Sequence, residues 1–343
     1  MTSNMKAIAI VIVACFCIGN SYSQDIFNAV YPIGEHPNIG YKTSMVSSIE
    51  KILFEANPVL RMPLYNNIQR KLMSGNRYNS GSALYLNFRP QLRMYTDNSL
   101  PVKTPSYKIS ILGYQKLIRL KPGSLFKNHM LAFSIESGHY SNGQSRCAFN
   151  KNIDDGTAAC DSVYKLITPA SNLSTLLNRE SCNFSTNFTE LILNYRIIST
   201  LDENNKPASG FSLKLGWNRY HDKLLFIGDI GGYSDNDIKI YGKNRYLLGV
   251  EYFTTFSEHN WLRQKLGFNR ISFGSNFEYI SKPHPHVKRS RLDVTSTLYF
   301  DNNLGIFISG IFGHDNYNFR FVYSGSQLFS GISFDIFPPI EIK

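Results

Sequence analysis

From about residue 81 onward the chain repeats one pattern. Segments of roughly ten residues alternate apolar and polar positions, and polar, turn-rich text separates them. In "YKISILGYQKL" Tyr107, Ile109 and Ile111 are apolar while Lys108 and Ser110 are not. In "FSLKLGWNR" Phe211, Leu213, Leu215 and Trp217 alternate with Ser212, Lys214, Gly216 and Asn218. "YLLGVEY", "ISFGSNFEY", "LDVTSTLYF" and "LFSGISFDIF" continue the rhythm. A period of two predicts strands with one apolar and one polar face. About twelve such segments, joined mostly by short connections with occasional long ones on one side, predict an all-β fold: a transmembrane antiparallel β-barrel of about 12 strands. A soluble β-sandwich alternates in the same way with its apolar face turned inward. The Lys, Arg, Glu and Asn on the polar face of nearly every strand suit a wet lumen and favour the membrane barrel.

Two regions stand outside this meander. Lys6, the apolar run from Ala7 to about Gly19, and Ser21 and Ser23 before Gln24 predict a secretory signal peptide over residues 1–23. A lipoprotein cleavage before Cys15 would leave too short an apolar region. Residues 24–80 read as a lead segment, periplasmic or at the barrel mouth, because "VSSIEKILFEANPVL" has a helical rhythm broken at Pro58. The barrel is then expected over residues 81–343, interrupted by a long extracellular insertion over residues 146–184.

Composition agrees with this division. Aromatic residues make up 14% of the chain against 18% charged, a balance suited to many strands and polar turns. The net charge of +11 is scattered rather than clustered, and in an exported protein it points to anionic lipid head groups, not nucleic acid. Two of the five cysteines fall in the signal. Cys147, Cys160 and Cys182 fall in the insertion, where two can pair and one is left over.

One strand breaks the colour rule of its own face. Through residues 131–141 the odd positions read Leu131, Phe133, Ile135, Ser137, His139, Ser141. If that face meets lipid, His139 and Ser141 project outward where the apolar band gives way to loop, at the level of the head groups. In the next segment, "NFTELILNYRI", Thr189, Leu191, Leu193, Tyr195 and Ile197 form the corresponding face, and Asn187 shares their parity. Consecutive strands of an up-and-down barrel are neighbours, so Asn187 is expected beside His139 and Ser141. A serine hydroxyl, an imidazole and a group that orients the imidazole are the parts of a nucleophilic hydrolase. An asparagine orients without carrying charge, which suits a site next to hydrocarbon.

These residues carry a family resemblance. "HYSNGQS" resembles the signature of outer-membrane phospholipase A, a twelve-stranded barrel of the bacterial outer membrane whose serine, histidine and asparagine act on the outside of the wall. "FSTN", ending at Asn187, "GHDNYNFRF" and "SGISFDIF" resemble further stretches of that family, with Thr186 in place of an aromatic. The resemblance implies Ser141 as nucleophile, His139 as base, Asn187 as its orienter and the Gly143 amide as oxyanion donor. It also implies phospholipid as substrate, calcium as cofactor and a homodimer as the active form. Here residues 146–184 separate the histidine from the asparagine, which makes Asn150 a rival for the third role. The calcium candidates are the Gln144 carbonyl with Asp154, Asp155, Asn183 and Ser185.

Other features read as background. "HPH" at His284 and His286 is expected to be a solvated turn. "SDND" at residues 234–237 lacks the spacing of a dedicated calcium loop, and the sequons at Asn172, Asn183 and Asn187 have meaning only in a eukaryotic secretory pathway. No G-x-S-x-G elbow, H-E-x-x-H helix, phosphate loop or dinucleotide fingerprint occurs. Two alternatives stay open: a noncatalytic barrel, porin or structural and surface-binding, and a lipid acyltransferase.

Overall fold

The computed structural model describes residues 36–44, 51–73, 79–96, 102, 104–120, 129–201, 207–224, 227–228, 230–300 and 304–334. The expected signal peptide lies outside them. Among the described residues fifteen strands follow one another: β1 (Asn38–Ser44), β2 (Ile52–Asn57), β3 (Leu60–Asn66), β4 (Ser80–Tyr95), β5 (Ser106–Arg119), β6 (His129–Ser141), β7 (Arg146–Cys147), β8 (Asn150–Asp154), β9 (Ser185–Leu201), β10 (Pro207–His221), β11 (Asn244–Thr255), β12 (Arg270–Ser281), β13 (Ser290–Tyr299), β14 (Leu304–His314) and β15 (Ser324–Phe334). All but β7 and β8 lie in one antiparallel sheet that closes on itself. The first described strand, β1, pairs with the last, β15, and β2 pairs with β4.

β2 and β3 both pair with β4 at different heights, β2 against Leu92–Tyr95 and β3 against Ala83–Phe88. They form one stave broken at Pro58, which has no N–H to give to the ladder. The result is a closed barrel of twelve staves, as the alternation predicts. The expectation for residues 24–80 is corrected: among the described residues, Asn38–Ser44, Ile52–Asn57 and Leu60–Asn66 build the wall, and a short helix follows over Ile68–Met73. The helical rhythm around Ile52 arises from a register shift between Ile52 and Phe54, which hides the period of two. β3 is plainly a strand, with Leu60, Met62 and Leu64 exposed on one face.

Apolar side chains such as Leu193, Leu213, Val250, Phe273, Val294 and Ile308 stand exposed around the outside, whereas Asn194, Arg196, Ser212, Arg291 and Ser309 are buried on the inner face. A continuous exposed apolar belt around a polar interior is how barrels of the outer membrane are built. No helix among the described residues is long and apolar enough to cross a membrane. Several of the polar groups inside pair with one another. The Glu136 carboxylate accepts from Arg89 through both oxygens (2.7 and 2.8 Å), and from Ser110, Tyr85 and Asn87. Arg93 bridges Glu55 and Asp315, and Lys42 joins Glu55 at 2.8 Å.

The longer connections, 142–184 and 222–243 among them, share one rim. Its mouth is filled by an aromatic core of Tyr140, Phe184, Phe188, Tyr220, Tyr241 and Phe321, under a buried 3-10 turn over Asn318–Val322. The insertion 146–184 folds on top. The hairpin of β7 and β8 and the helix Ala158–Lys165 are joined by a Cys147–Cys160 disulfide, while Cys182 is a buried free thiol. His284 and His286 are corrected from a solvated turn to fasteners of this insertion. The buried His284 donates from Nε2 to the Thr168 carbonyl (2.8 Å), and His286 Nε2 meets Ser174 Oγ at 3.1 Å.

Candidate active site

The even residues of β6 anchor it from within. Ala132, Ser134, Glu136 and Tyr140 are buried, and the Tyr140 hydroxyl accepts the Asn318 amide at 2.7 Å. The odd residues therefore face out, and at the long-loop end of the strand these are His139 and Ser141. β6 pairs directly with β9, and the register sets His139 opposite Asn187 and Ser141 opposite Ser185. Their parity was legible in the sequence, and so was the pairing.

His139 donates from Nδ1 to Asn187 Oδ1 at 3.0 Å. This leaves Nε2 with its lone pair free to accept a proton. The asparagine amide cannot be turned the other way. Its Nδ2 donates to the Ile230 carbonyl (3.2 Å) and to the Asp222 carbonyl, and two carbonyls on one side admit only the NH2 end there. Asn187 is fully buried, under the chain that follows β10. Gly231 lies on the pair at φ +41, so close that a Cβ would stand 2.7 Å from Ser185 Oγ and 3.4 Å from His139 Cε1. Ser185 Oγ donates to the Gly231 carbonyl at 2.9 Å. Sequence reasoning missed Asp222, Ile230 and Gly231, because nothing in a loop's spacing announces where its carbonyls point.

Ser141 shares the outer face of β6 with His139 and is partly exposed, and its hydroxyl makes no hydrogen bond among the described residues. The chain turns at once behind it. Asn142 Oδ1 accepts the amides of Gln144 (3.2 Å) and Phe184 (3.0 Å), and its Nδ2 donates to the Cys182 carbonyl (2.8 Å). This clamp holds Gly143 exposed at φ +66, in the left-handed region that glycine adopts without strain. A free amide two residues from a free hydroxyl is a serviceable oxyanion donor. Asn150, the rival orienter, instead bonds the Asn152 amide within its own hairpin.

The calcium candidates divide. Asp154 is exposed and paired with Arg146 at 2.8 Å, and Ser185 serves Gly231. Asp155 and Asn183 meet at 2.7 Å, with the Asp155 amide on the Ser145 carbonyl (2.8 Å), one residue from Gln144. Asn183 turns its NH2 rather than its oxygen to the Asp155 carboxylate, so one carboxylate and nearby backbone carbonyls are the hard oxygen donors left there, a sparse set for calcium. Among the described residues no group of three or more His, Cys, Asp or Glu could hold a metal ion.

No family model and no curated protein sequence matches the chain. Among solved structures it is similar to outer membrane phospholipase A from Escherichia coli, at 11% identity and a TM-score of 0.48, over 91% of this chain and 97% of that chain. The same identity and coverage hold for the Salmonella typhi outer membrane phospholipase dimer with bound calcium, at a TM-score of 0.47. The β domain of the Bordetella autotransporter BrkA is 9% identical, with a TM-score of 0.36 over 89% of this chain and 100% of that one.

Proposed function

We propose that this barrel is an outer-membrane phospholipase that hydrolyses acyl esters of phospholipids reaching the leaflet at its long-loop rim. The observation that carries the reading is the His139–Asn187 hydrogen bond on the outward face, at the upper edge of the apolar belt. Ser141 Oγ attacks the ester carbonyl carbon as His139 Nε2 takes its proton, and the Gly143 amide meets the oxyanion. The tetrahedral intermediate collapses, the lysophospholipid oxygen leaves with the proton from the imidazolium, and an acyl-serine remains. Water, deprotonated by the same Nε2, attacks the acyl carbon, and fatty acid departs as Ser141 regains its proton. Asn187 holds the Nδ1–H tautomer throughout.

Calcium, which the resemblance in "HYSNGQS" implies, would add positive charge near the oxyanion if held by Asp155 and the Gln144 carbonyl, with the Asn183 amide turned to offer its oxygen. The resemblance in "HYSNGQS" further supports a homodimer as the active form. Against the porin alternative stands the buried aromatic cluster at the long-loop rim, which narrows the way a solute would have to pass.

Fatty acid release from a diacyl phospholipid, measured in detergent with calcium and with a chelator, tests the reading. Release by the parent and its loss in Ser141→Ala are expected, with the chelator lowering the rate. Equal release by both proteins would remove Ser141 from the mechanism.

A further inference from the structure

Asn187 owes its orientation to a loop that has little to lean on. The chain leaves β10 at His221, passes over the outer side of the wall and returns at Ile230 and Gly231, so that backbone carbonyls meet the asparagine amide. The turn between the two legs closes on itself. The Leu224 amide donates to the Gly228 carbonyl at 2.8 Å, and the Gly228 amide donates to the Leu224 carbonyl at 3.0 Å. Those bonds fix the shape of the turn but not its place on the barrel.

Each leg has its own tie to the wall. The returning leg is held by Ser185 Oγ, which donates to the Gly231 carbonyl at 2.9 Å. The outgoing leg is held by His221, which the register sets opposite Asn187 on the same outward face. Its Nδ1 meets the Lys223 carbonyl at 2.6 Å, and its Nε2 meets Thr189 Oγ1 of β9 at 3.0 Å. A carbonyl only accepts, so the proton is on Nδ1, and Nε2 of the neutral ring accepts from the threonine hydroxyl. The imidazole is thereby a strut between β9 and the start of the loop. Asp222 lies between the two residues that this strut joins, and the legs touch there: a Cβ on Gly232 would run into the Asp222 carboxylate.

We propose that His221 is a positioning residue for the His139–Asn187 pair. By holding the Lys223 carbonyl it keeps the Asp222 carbonyl on Asn187 Nδ2, and so keeps the Asn187 oxygen on His139 Nδ1. Without the strut, one of the two carbonyls that bar the reversed amide moves away. A reversed Asn187 presents its NH2 to Nδ1, which must then accept, and the imidazole proton passes to Nε2. That tautomer has no lone pair to take the proton of Ser141. The effect on rate rests on the proposed function, whereas the effect on the His139 tautomer does not.

Nitrogen-15 NMR of the histidine-labelled protein in detergent reads that tautomer, with the His139 signal assigned by its loss in His139→Gln. The parent is expected to carry the proton on Nδ1, and His221→Ala to show a population protonated on Nε2. His221→Asn, whose amide keeps a donor near the Nδ1 position, is expected to return His139 toward the parent state. In fatty acid release His221→Ala is expected to lower kcat about tenfold with KM little changed, and His221→Asn to recover most of it. A parent-like His139 spectrum, or a parent-like kcat, in His221→Ala overturns the proposal. Should that protein fail to fold, Thr189→Val removes only the hydroxyl on Nε2 and carries the same test: a population protonated on Nε2 at His139 is expected, and a parent-like spectrum overturns the proposal. A tautomer shift in a barrel whose parent releases no fatty acid would sink the hydrolase reading and leave the strut standing.

Discussion

Many hydrolases orient their histidine with a carboxylate, so Asn187→Asp looks like a conservative exchange, even an improvement. The structure says the opposite. Asn187 faces three partners, of which one is the His139 Nδ1–H and the other two are the carbonyls of Asp222 and Ile230. The amide suits both sides because it has an acceptor end and a donor end. A carboxylate keeps the first contact and loses both of the others. Each lost bond costs about 1 kcal/mol net, and a buried carboxylate oxygen held against carbonyl oxygens adds repulsion. A loss of about 2–3 kcal/mol corresponds to a fall of roughly 30- to 150-fold in kcat/KM.

A second penalty acts through the base. A carboxylate beside an imidazole favours the charged ring, and the charged ring accepts no proton. Asn187→Asp is therefore expected to regain activity as pH rises, whereas Asn187→Ala, which merely loses the orienter, keeps the parent's profile at a lower level. The assay is initial-rate fatty acid release between about pH 6 and pH 10 for parent, Asp and Ala proteins, with folding checked by circular dichroism. Asn187→Asp matching the parent near neutral pH would refute the claim that the two carbonyls fix the amide.

Two further outcomes follow from residues away from the chemistry. Glu136→Ala strips five hydrogen bonds from Arg89, Ser110, Tyr85 and Asn87 inside the wall beneath the site. Removing the carboxylate from this buried network is expected to cost about 3 kcal/mol in urea unfolding of the reconstituted barrel. Asp237 lies on the long-loop side, in the helix Asp235–Tyr241, and burial raises its carboxyl to about 6. A raised value means the folded state prefers the protonated acid. That preference is fully present below about pH 4 and is lost as pH rises through about 6. Asp237→Asn, which keeps an acceptor for Ser234, is accordingly expected to protect this helix against hydrogen exchange at pH 8 by about 1–2 kcal/mol and to leave it unchanged near pH 4.

The barrel and the placing of His139 opposite Asn187 were written in alternation. Phe211, Leu213 and Leu215 are exposed as their parity says, and the odd positions of β6 and β9 brought His139 to Asn187 because a strand's period is rigid. Legibility failed wherever one residue was inserted into the rhythm. The register shift in β2 disguised a strand as a helix, and Pro58 split its stave. A second shift in β5, between Ser110 and Leu112, turns Leu117 inward while Ile109 stays out, so the one apolar face read over Tyr107–Ile111 does not continue. The Cys147–Cys160 pairing and the carbonyls on Asn187 depend on how loops fold back. Spacing along the chain does not encode that.

A strand that carries chemistry on its lipid face has to be held by something other than that face, because lipid tails offer no hydrogen bonds to steady a polar side chain. β6 solves this with its alternation. Glu136 and Tyr140, three residues before and one after His139, are bonded into the lumen and the mouth. Between them His139 has little freedom to slide or twist, and Asn187 is clamped from the other strand by a loop's backbone. The proposed oxyanion donor is held by the same logic, since Asn142, the even residue next to Ser141, fixes the turn that presents Gly143. The inner face thus pre-organises the outer one, and on the proposed reading the reacting groups sit in place before any lipid arrives. Under the proposed function, what then limits turnover is the arrival of a phospholipid and of whatever completes the oxyanion's charge. Rates in detergent should accordingly follow the surface density of substrate in the micelle more closely than they follow the stability of the barrel.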